Sequence, residues 1–188
     1  MSLKGFPRRT LRGERTVYRI HKSARASWWF SSAGDGRFDP VGTGTGACYL
    51  AEGALGAWVE VFRRRQLLPE VEIAERSLLA VALKRDLRLA DITARRALSV
   101  GVTASLGASE QFDESQRFAV QALEAGFDGV RYFVRHDPAQ KLYGVALFAQ
   151  AGIPGPADPQ WPAVSGAISD TLVRDAERVF GYRVLPTP

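Results

Sequence analysis

The sequence has one cysteine, one methionine and two histidines in 188 residues. A single cysteine, Cys48, cannot form an internal disulfide, which fits a reducing cytoplasm. With so few sulfur and imidazole ligands we expect no protein-built zinc site and no metal in the function. No apolar run approaches the roughly 20 residues that a membrane span needs, and the basic N-terminus lacks the apolar region of a secretory signal. These absences predict a cytoplasmic protein without a membrane partner.

The rest of the composition is that of a globular domain, with 46% apolar and 24% charged residues. A chain of this length can bury one sizeable core, so we expect a single domain over residues 1–188. The net charge of +5 indicates a solvated basic surface, an anionic ligand or an acidic partner. No strand interleaves basic and aromatic residues, which argues against nucleic acid as the principal substrate.

The predicted elements are short strands with a few helices between them. Residues 1–15 read as a flexible basic arm, and strands are expected at 16–21, at 47–51, in one or two stretches of 77–93, and in a hairpin of 129–134 with 142–148. Helices are expected over 53–66 and after Phe112, the second with Asp113 and Gln116 as its N-terminal cap and Gly126 as its stop. Residues 151–166 form a Pro/Gly-rich connector to a last helix and strand. This order favours an α+β fold over alternating βαβ units.

The glycine repeat GTGTG, residues 42–46, resembles a phosphate-binding loop only superficially. A dinucleotide fingerprint needs a hydrophobic strand, then GxGxxG, then a helix. Here Pro40 interrupts the preceding segment and a strand follows the glycines. We therefore expect the glycines to form a compliant turn that brings Arg37 and Tyr49 to one place.

Glu60 lies on the opposite side of its predicted helix from the core. Apolar residues at helical spacing, including Trp58 and Phe62, define the buried face, and Glu60 lies about 200° from Trp58 at 100° per residue. Its neighbours on that side are glycine and alanine, so the carboxylate can line a cleft. The alternative is a solvated glutamate that pairs with Arg63 or Arg64.

Four other residues keep more than one interpretation from the sequence alone. Arg19, in the middle of an apolar strand, is an edge-strand charge or an anchor for an anion. Ser115 is a ligand contact or only a helix N-cap. Trp28 and Trp29 form a lid, a partner-binding patch or part of the core.

Taken together, these residues resemble the RES-domain family, toxins of bacterial toxin–antitoxin pairs that are named for their Arg, Glu and Ser residues. The resemblance covers roughly residues 16 to 148. Its motifs occur in the family's order: Tyr18-Arg19, Gly36-Arg37-Phe38, Tyr49-Leu50-Ala51, Glu60, Ser115-Gln116 and Gly129-Val130.

The resemblance implies a fold like that of ADP-ribosyltransferase toxins and an enzyme that degrades NAD⁺ by hydrolysis or phosphorolysis. It implies that Arg19 and Arg37 hold the phosphates, with Arg19 also counted in the catalytic set, that Tyr49 packs on the nicotinamide or its ribose, and that Glu60 is the catalytic carboxylate. The family serine corresponds to Ser115, or the alignment shifts to Asp113. No cofactor is bound permanently: NAD⁺ is the substrate, with inorganic phosphate as a further co-substrate in the phosphorolytic case.

The resemblance also implies a protein partner, an antitoxin of acidic or helix-turn-helix type that covers the site. Nucleic acid would then be contacted only through that antitoxin, and the oligomeric state, a homo-oligomer included, is left open. Two other functions compete with this one. An ADP-ribosyltransferase would move the same group onto a macromolecule, and a basic binding module would have lost catalysis and hold RNA or a protein.

Overall fold

The computed structural model describes residues 3–63, 65–155, 161–162 and 164–186. The strands are β1 (Arg8–Leu11), β2 (Thr16–Lys22), β3 (Thr45–Ala51), β4 (Leu67–Pro69), β5 (Arg76–Ala82), β6 (Leu87–Asp91), β7 (Gly129–Phe133), β8 (Tyr143–Gln150), β9 (Ser165–Ala167) and β10 (Arg183–Leu185). The helices are α1 (Ala54–Phe62), α2 (Glu70–Ala74), α3 (Ser105–Ala108), α4 (Asp113–Glu124) and α5 (Asp170–Phe180), with a 3₁₀ helix at Arg95–Val100.

Eight of these strands form one mixed sheet in the order β1-β6-β7-β8-β3-β2-β5-β9, and β4 pairs with β10 separately. Only the β6–β7 pair of the large sheet is parallel. The helices pack against this sheet around three buried clusters of apolar side chains. The α+β class with mixed sheets and flanking helices is confirmed.

The large sheet is joined weakly at its centre, between β2 and β3. Strand β3 pairs with β8 over seven residue pairs and β2 pairs with β5 over seven, but β2 and β3 share only the pair Tyr18↔Ala51. Beyond that pair the two strands do not hydrogen-bond, so a cleft opens between two halves of one sheet.

The arm expected over residues 1–15 is instead part of the fold, and that prediction is wrong for the residues described. Strand β1 pairs antiparallel with β6, from Arg8↔Ala90 to Leu11↔Leu87. Leu3, Phe6 and Leu11 are all at most 6% exposed. Basic residues dominate this segment, and they conceal the few apolar side chains that anchor it.

The other predicted elements are largely confirmed, with differences at their ends. Helix α1 ends at Phe62, earlier than expected, because Arg63 adopts a positive φ of 52°. Asp113 is the first residue of α4 and forms no side-chain cap, so the expected capping pair is wrong. Gly126 stops the helix as expected, with a φ of 74°. Of the expected connector, residues 156–160 and 163 lie outside the described part, and Ser165 already begins β9.

Trp28 belongs to the core, and not to a lid or a partner-binding patch. Its ring is 3% exposed and packs near Phe30 and Trp161, and its indole nitrogen donates to the carbonyl of Pro162 at 3.1 Å. In the described residues no helix is both long and apolar enough to cross a membrane.

Candidate functional site

A cavity of about 430 Å³ lies at the cleft where β2 and β3 separate. It is lined by Arg19 of β2, Arg37 of the long loop between β2 and β3 (residues 23–44), Tyr49 of β3 and Glu60 of α1. Four of the five site residues predicted from the sequence therefore meet in one place. Its volume lies within the range of small-molecule sites.

Glu60 is half-buried, and its carboxylate oxygen Oε1 is shielded from solvent without a hydrogen-bond partner among the described residues. Burial raises the pKa of Glu60, while the Tyr132 hydroxyl, Arg63 and Arg37 act in the opposite direction. The described residues give Glu60 no ion pair, so the alternative of a surface glutamate paired with Arg63 does not hold there. Arg64 lies outside the described residues. Ala57 lines the cavity as expected, whereas Gly56 permits α1 to approach Ala51 of β3 closely.

Tyr132 of β7 is a cavity residue that the sequence analysis missed. Its side chain is 5% exposed, and its hydroxyl is buried without a hydrogen-bond partner within the described structure. Burial raises its pKa well above the usual value, so it is a neutral phenol that can donate. Gly144 makes room for the ring, because a Cβ there would lie 2.3 Å from Tyr132 Cζ. The alternation of β7 alone gave no sign of this role.

Two arginines face the cavity with unused hydrogen-bonding capacity. Arg19 donates through Nη1 to the sulfur of Cys48 at 2.6 Å, and its Nε has no partner among the described residues. Arg37 lies over the ring of Phe112, 4.8 Å from its centroid, and its Nη1 is likewise buried and unpartnered. Burial, and then the charge of Arg135, lower the pKa of Arg37. Buried polar groups normally find partners, so these vacant donors indicate a ligand site.

The loop that carries Arg37 is organised around a buried carboxylate, Asp39, which is fully shielded from solvent. Its oxygens accept hydrogen bonds from the hydroxyl of Tyr49 at 2.9 Å, the amide of Gly36 at 3.1 Å and the hydroxyl of Ser31 at 3.1 Å. Tyr49 in turn accepts from the amide of Phe38 at 2.8 Å. Asp39 follows the glycine–arginine motif closely, but its position before Pro40 indicated only a turn.

Tyr49 therefore has a structural role beside its place in the cavity wall. Burial raises its pKa above the ordinary value for a tyrosine, and the nearby Asp39 carboxylate adds to that. The phenol is thus a permanent donor to Asp39. Gly36 cannot be replaced without disturbing this pair, since a Cβ there would lie 2.3 Å from Asp39 Oδ1 and 2.4 Å from the Tyr49 hydroxyl oxygen.

Ser115 does not line the cavity. It is 1% exposed, and its hydroxyl donates to the carbonyl of Leu106 at 2.8 Å. This bond joins α3 to the first turn of α4. The next residue, Gln116, donates through Nε2 to the carbonyls of Gly34 at 2.7 Å and Gly36 at 3.0 Å. The Ser-Gln pair thus supports the Arg37 loop from behind, and Asp113 is exposed outside the cavity.

The cavity wall carries an excess of positive charge. Arg25, Arg63 and Arg135 line it in addition to Arg19 and Arg37, and Arg135 is paired with Glu110 at 3.1 Å. Trp29, 50% exposed, also lines the wall. Trp29 therefore differs from its neighbour Trp28 and offers an indole face at the cavity.

This arrangement suits an anionic ligand whose reacting centre becomes positive. Arginine forks match phosphate geometry, and a partly dehydrated carboxylate stabilises a developing cation more strongly than it would in water. The phenol of Tyr132 beside Glu60 can hold that carboxylate in position.

The comparisons with known proteins agree with this geometry. A sequence model described as the RES domain matches residues 16–165, which is most of the chain. A search of curated proteins gave no match. The crystal structure of the M. tuberculosis MbcT-MbcA toxin-antitoxin complex contains a chain with a similar fold, with a TM-score of 0.67 and 22% identity over 90% of this chain and 92% of that one. From the extent of the sequence match, this chain belongs to the RES-domain family.

Proposed function

We propose that this protein is a toxin enzyme that cleaves the bond between nicotinamide and ribose in NAD⁺. The observation that carries the proposal is the set of unsatisfied polar atoms in one cavity: Arg19 Nε, Arg37 Nη1, Glu60 Oε1 and the Tyr132 hydroxyl. Of the five buried side-chain atoms without partners in the described residues, these four share that cavity. A ligand that combines a diphosphate with a ribose that becomes cationic would satisfy the two arginine donors and Glu60 Oε1, while the Tyr132 hydroxyl lies beside Glu60 and can donate to it.

In the proposed reaction the bond from ribose C1′ to the nicotinamide nitrogen breaks, and its electron pair leaves with nicotinamide. The positively charged pyridinium becomes a neutral leaving group, so no strong general acid is needed. The ribose acquires oxocarbenium character, as in glycoside hydrolysis. Glu60 stabilises that charge, and water or inorganic phosphate then forms the new bond at C1′, releasing a proton.

The arginines act on the other end of the substrate. Arg19 and Arg37 stand on different elements, β2 and the long loop, so together they can hold a diphosphate across the cleft. Because this charge is far from C1′, we expect it to contribute mainly to binding. Replacing Arg37 by lysine keeps the charge and removes the planar fork, so it should raise KM more than it lowers kcat.

The test is to incubate the purified protein with NAD⁺, with and without inorganic phosphate, and to follow nicotinamide release. Glu60→Gln should lower kcat by about 10²-fold or more, the usual scale for a charge-stabilising group. Release that requires phosphate would identify a phosphorylase, and release without it a hydrolase. If purified protein that is free of other chains released no nicotinamide under either condition, the proposed NAD⁺-cleaving activity would be refuted.

The same experiment separates the alternative functions. An ADP-ribosyltransferase would release nicotinamide in proportion to a modified macromolecule, which mass spectrometry detects, and not in proportion to free ADP-ribose. A binding module that has lost catalysis would release none.

The toxin part of the proposal is supported by the RES-domain membership and by the toxin-antitoxin complex in which the similar fold was solved. We propose that an antitoxin, of helix-turn-helix type in this family's pattern, covers the cavity. Expression in bacterial cells should lower cellular NAD⁺ and stop growth, while Glu60→Gln expressed at the same level should do neither. Growth arrest by both proteins would show that NAD⁺ cleavage is not the toxic activity.

A further inference from the structure

Arginines without a carboxylate partner gather at a second place, far from the cavity along the sheet. A groove of about 1080 Å³ is bounded by the N-terminal segment, the 3₁₀ helix and the C-terminal end of α4. We name it the basic groove; its charged lining residues are Lys4, Arg8, Arg88, Arg95, Arg96 and Glu124. It shares no lining residue with the catalytic cavity and lies at the β1–β6 edge, three strands from β3.

Three arginines of the groove have no acidic partner within the described part of the chain. Arg8, Arg95 and Arg96 are exposed and form no ion pair there. Elsewhere in the same residues, eight arginines pair with aspartate or glutamate within 4 Å. Glu124 is the one acidic residue in the described lining of the groove, so the rim keeps an excess of positive charge.

Arg88 gives the groove a fixed cationic point. Its Nη2 donates to the carbonyls of Ala125 and Gly126 at 2.8 Å each, and its guanidinium lies 5.0 Å from the ring centroid of Phe127. A side chain held in this way loses little freedom when it binds an anion. The guanidinium retains donors that these two carbonyls do not use.

The floor of the groove is apolar. Leu3, Phe6 and Phe127 form it, and each is 5–7% exposed. Phe6 packs against Phe127 with ring centroids 6.4 Å apart. The half-buried Pro7, Ala94 and Val100 add accessible apolar lining without an aromatic ring, so the described lining offers no stacking platform of the kind that single-stranded nucleic acid uses.

We propose that the basic groove is a docking site for an acidic, amphipathic polypeptide segment of a partner protein. The carboxylates of such a segment would pair with Arg8, Arg95 and Arg96 at the rim. Its apolar side chains would lie on the half-buried Pro7, Ala94 and Val100. This proposal does not depend on NAD⁺ cleavage.

The test measures fluorescence anisotropy of a labelled peptide that alternates glutamate and leucine, added to the full-length protein. The double variant Arg95→Glu/Arg96→Glu should weaken binding by about tenfold or more, through loss and reversal of rim charge. The matched control is Arg174→Glu/Arg183→Glu, which makes the same charge change at exposed arginines outside the groove and the cavity. This control should retain affinity within about twofold, as expected for distant exposed charges. Both variants should keep the wild-type melting temperature.

Three outcomes would overturn the proposal. The first is an absence of peptide binding, and the second is equal weakening by both double variants, which would indicate only the overall charge. The third is that a labelled single-stranded RNA binds more tightly than the peptide and that Arg95→Glu/Arg96→Glu abolishes this RNA binding. That result would make the groove a nucleic-acid site. A peptide of glutamate and serine with the same charge should bind more weakly than the glutamate–leucine peptide, and equal affinity would refute the role of the floor.

Discussion

At the scale of single residues, Glu60 stands in surroundings that oppose its charge. Burial raises its pKa, and one carboxylate oxygen has no hydrogen-bond partner among the described residues. Such an arrangement disfavours the free ionised state and so strengthens the attraction for a cation that forms beside it. The Tyr132 hydroxyl is the neutral group placed to offset part of this cost.

The first prediction concerns Tyr132→Phe and the pH dependence of NAD⁺ cleavage. The hydroxyl lowers the pKa of Glu60, so its removal raises that pKa further and Glu60 becomes protonated at a higher pH. Activity that needs ionised Glu60 should therefore begin to fall at a higher pH than in the wild-type protein. The measurement is the acid limb of the kcat/KM profile.

The size of the effect at the optimum pH distinguishes positioning from general damage. We expect kcat/KM there to fall by about tenfold or less, because Glu60 remains ionised. An acid limb at the wild-type position would contradict the assigned role of Tyr132, whatever the loss of rate.

The site residues that could be predicted from the sequence are those that stand in short local motifs. Four of them stand in short motifs with a fixed order, and the structure brings these four to one cavity: Arg19, Arg37, Tyr49 and Glu60. Tyr132 could not be found in this way, since its hydroxyl reaches the cavity only because Gly144 on the neighbouring strand leaves room.

At the scale of elements, the loop before β3 is held rigid by contacts that cross from one element to another. Asp39 binds the loop to Tyr49 of β3, and Gln116 of α4 binds the carbonyls of Gly34 and Gly36. A long segment rich in turn residues is thereby fixed without regular secondary structure. Its order depends on the helix after it in the chain as much as on its own residues.

The second prediction is that Gly36→Ala disables the site through this loop. The added methyl would meet Asp39 Oδ1 and the Tyr49 hydroxyl, so the Asp39–Tyr49 hydrogen bond must break or the loop must move. Leaving a buried carboxylate short of a partner costs about 1–3 kcal/mol. We expect a lower melting temperature and a raised KM for NAD⁺, since Arg37 is displaced.

The matched control is Gly155→Ala, which adds the same methyl where no described atom beyond the adjacent residues lies within 4 Å and where φ lies outside the left-handed region. That variant should keep both melting temperature and KM. If Gly36→Ala behaved like this control, the loop would not need the close approach seen at Gly36.

The third prediction tests the N-terminal strand, which the basic composition had concealed. Leu11 is 2% exposed and packs among the side chains of β2, β5 and β8, so Leu11→Ala should lower the free energy of unfolding by about 2–5 kcal/mol. Urea denaturation measures this change. The control Thr10→Ala, at the exposed neighbouring position, should change it by about 0.5 kcal/mol or less. If Leu11→Ala left the free energy of unfolding unchanged, the interpretation of this segment as a mobile arm would be restored.

Hydrophobic periodicity otherwise predicted the types of the longer elements. It did not predict where elements end or where short elements form. Strands β2, β3, β7 and β8 follow their apolar patterns closely. The short pieces β1, β4, β9 and α2 have too few residues for a period, and they form because long-range pairing and packing stabilise them.

At the scale of the whole molecule, the cleft between β2 and β3 divides the sheet into a half that carries Arg19 and a half that carries Tyr49 and Tyr132. The direct strand contact between these halves is the single pair Tyr18↔Ala51 in the described sheet. A ligand that contacts both walls would replace the hydrogen bonds that the strands do not make. Binding of such a ligand would therefore be coupled to the cohesion of the two halves.

The fourth prediction follows from this coupling and uses Glu60→Gln, so that NAD⁺ is not consumed. Because a ligand bound only to the folded state stabilises it by about 2.7 kcal/mol at a hundredfold excess over Kd, saturating NAD⁺ should raise the melting temperature. Hydrogen exchange should slow in β2 as well as in β7, since the ligand joins both halves. In the double variant Glu60→Gln/Arg19→Ala we expect the protection of β2 to be lost first, because Arg19 is the contact that this half supplies. Protection confined to β7 and the Arg37 loop would show that the ligand binds one wall only and that the cleft does not close around it.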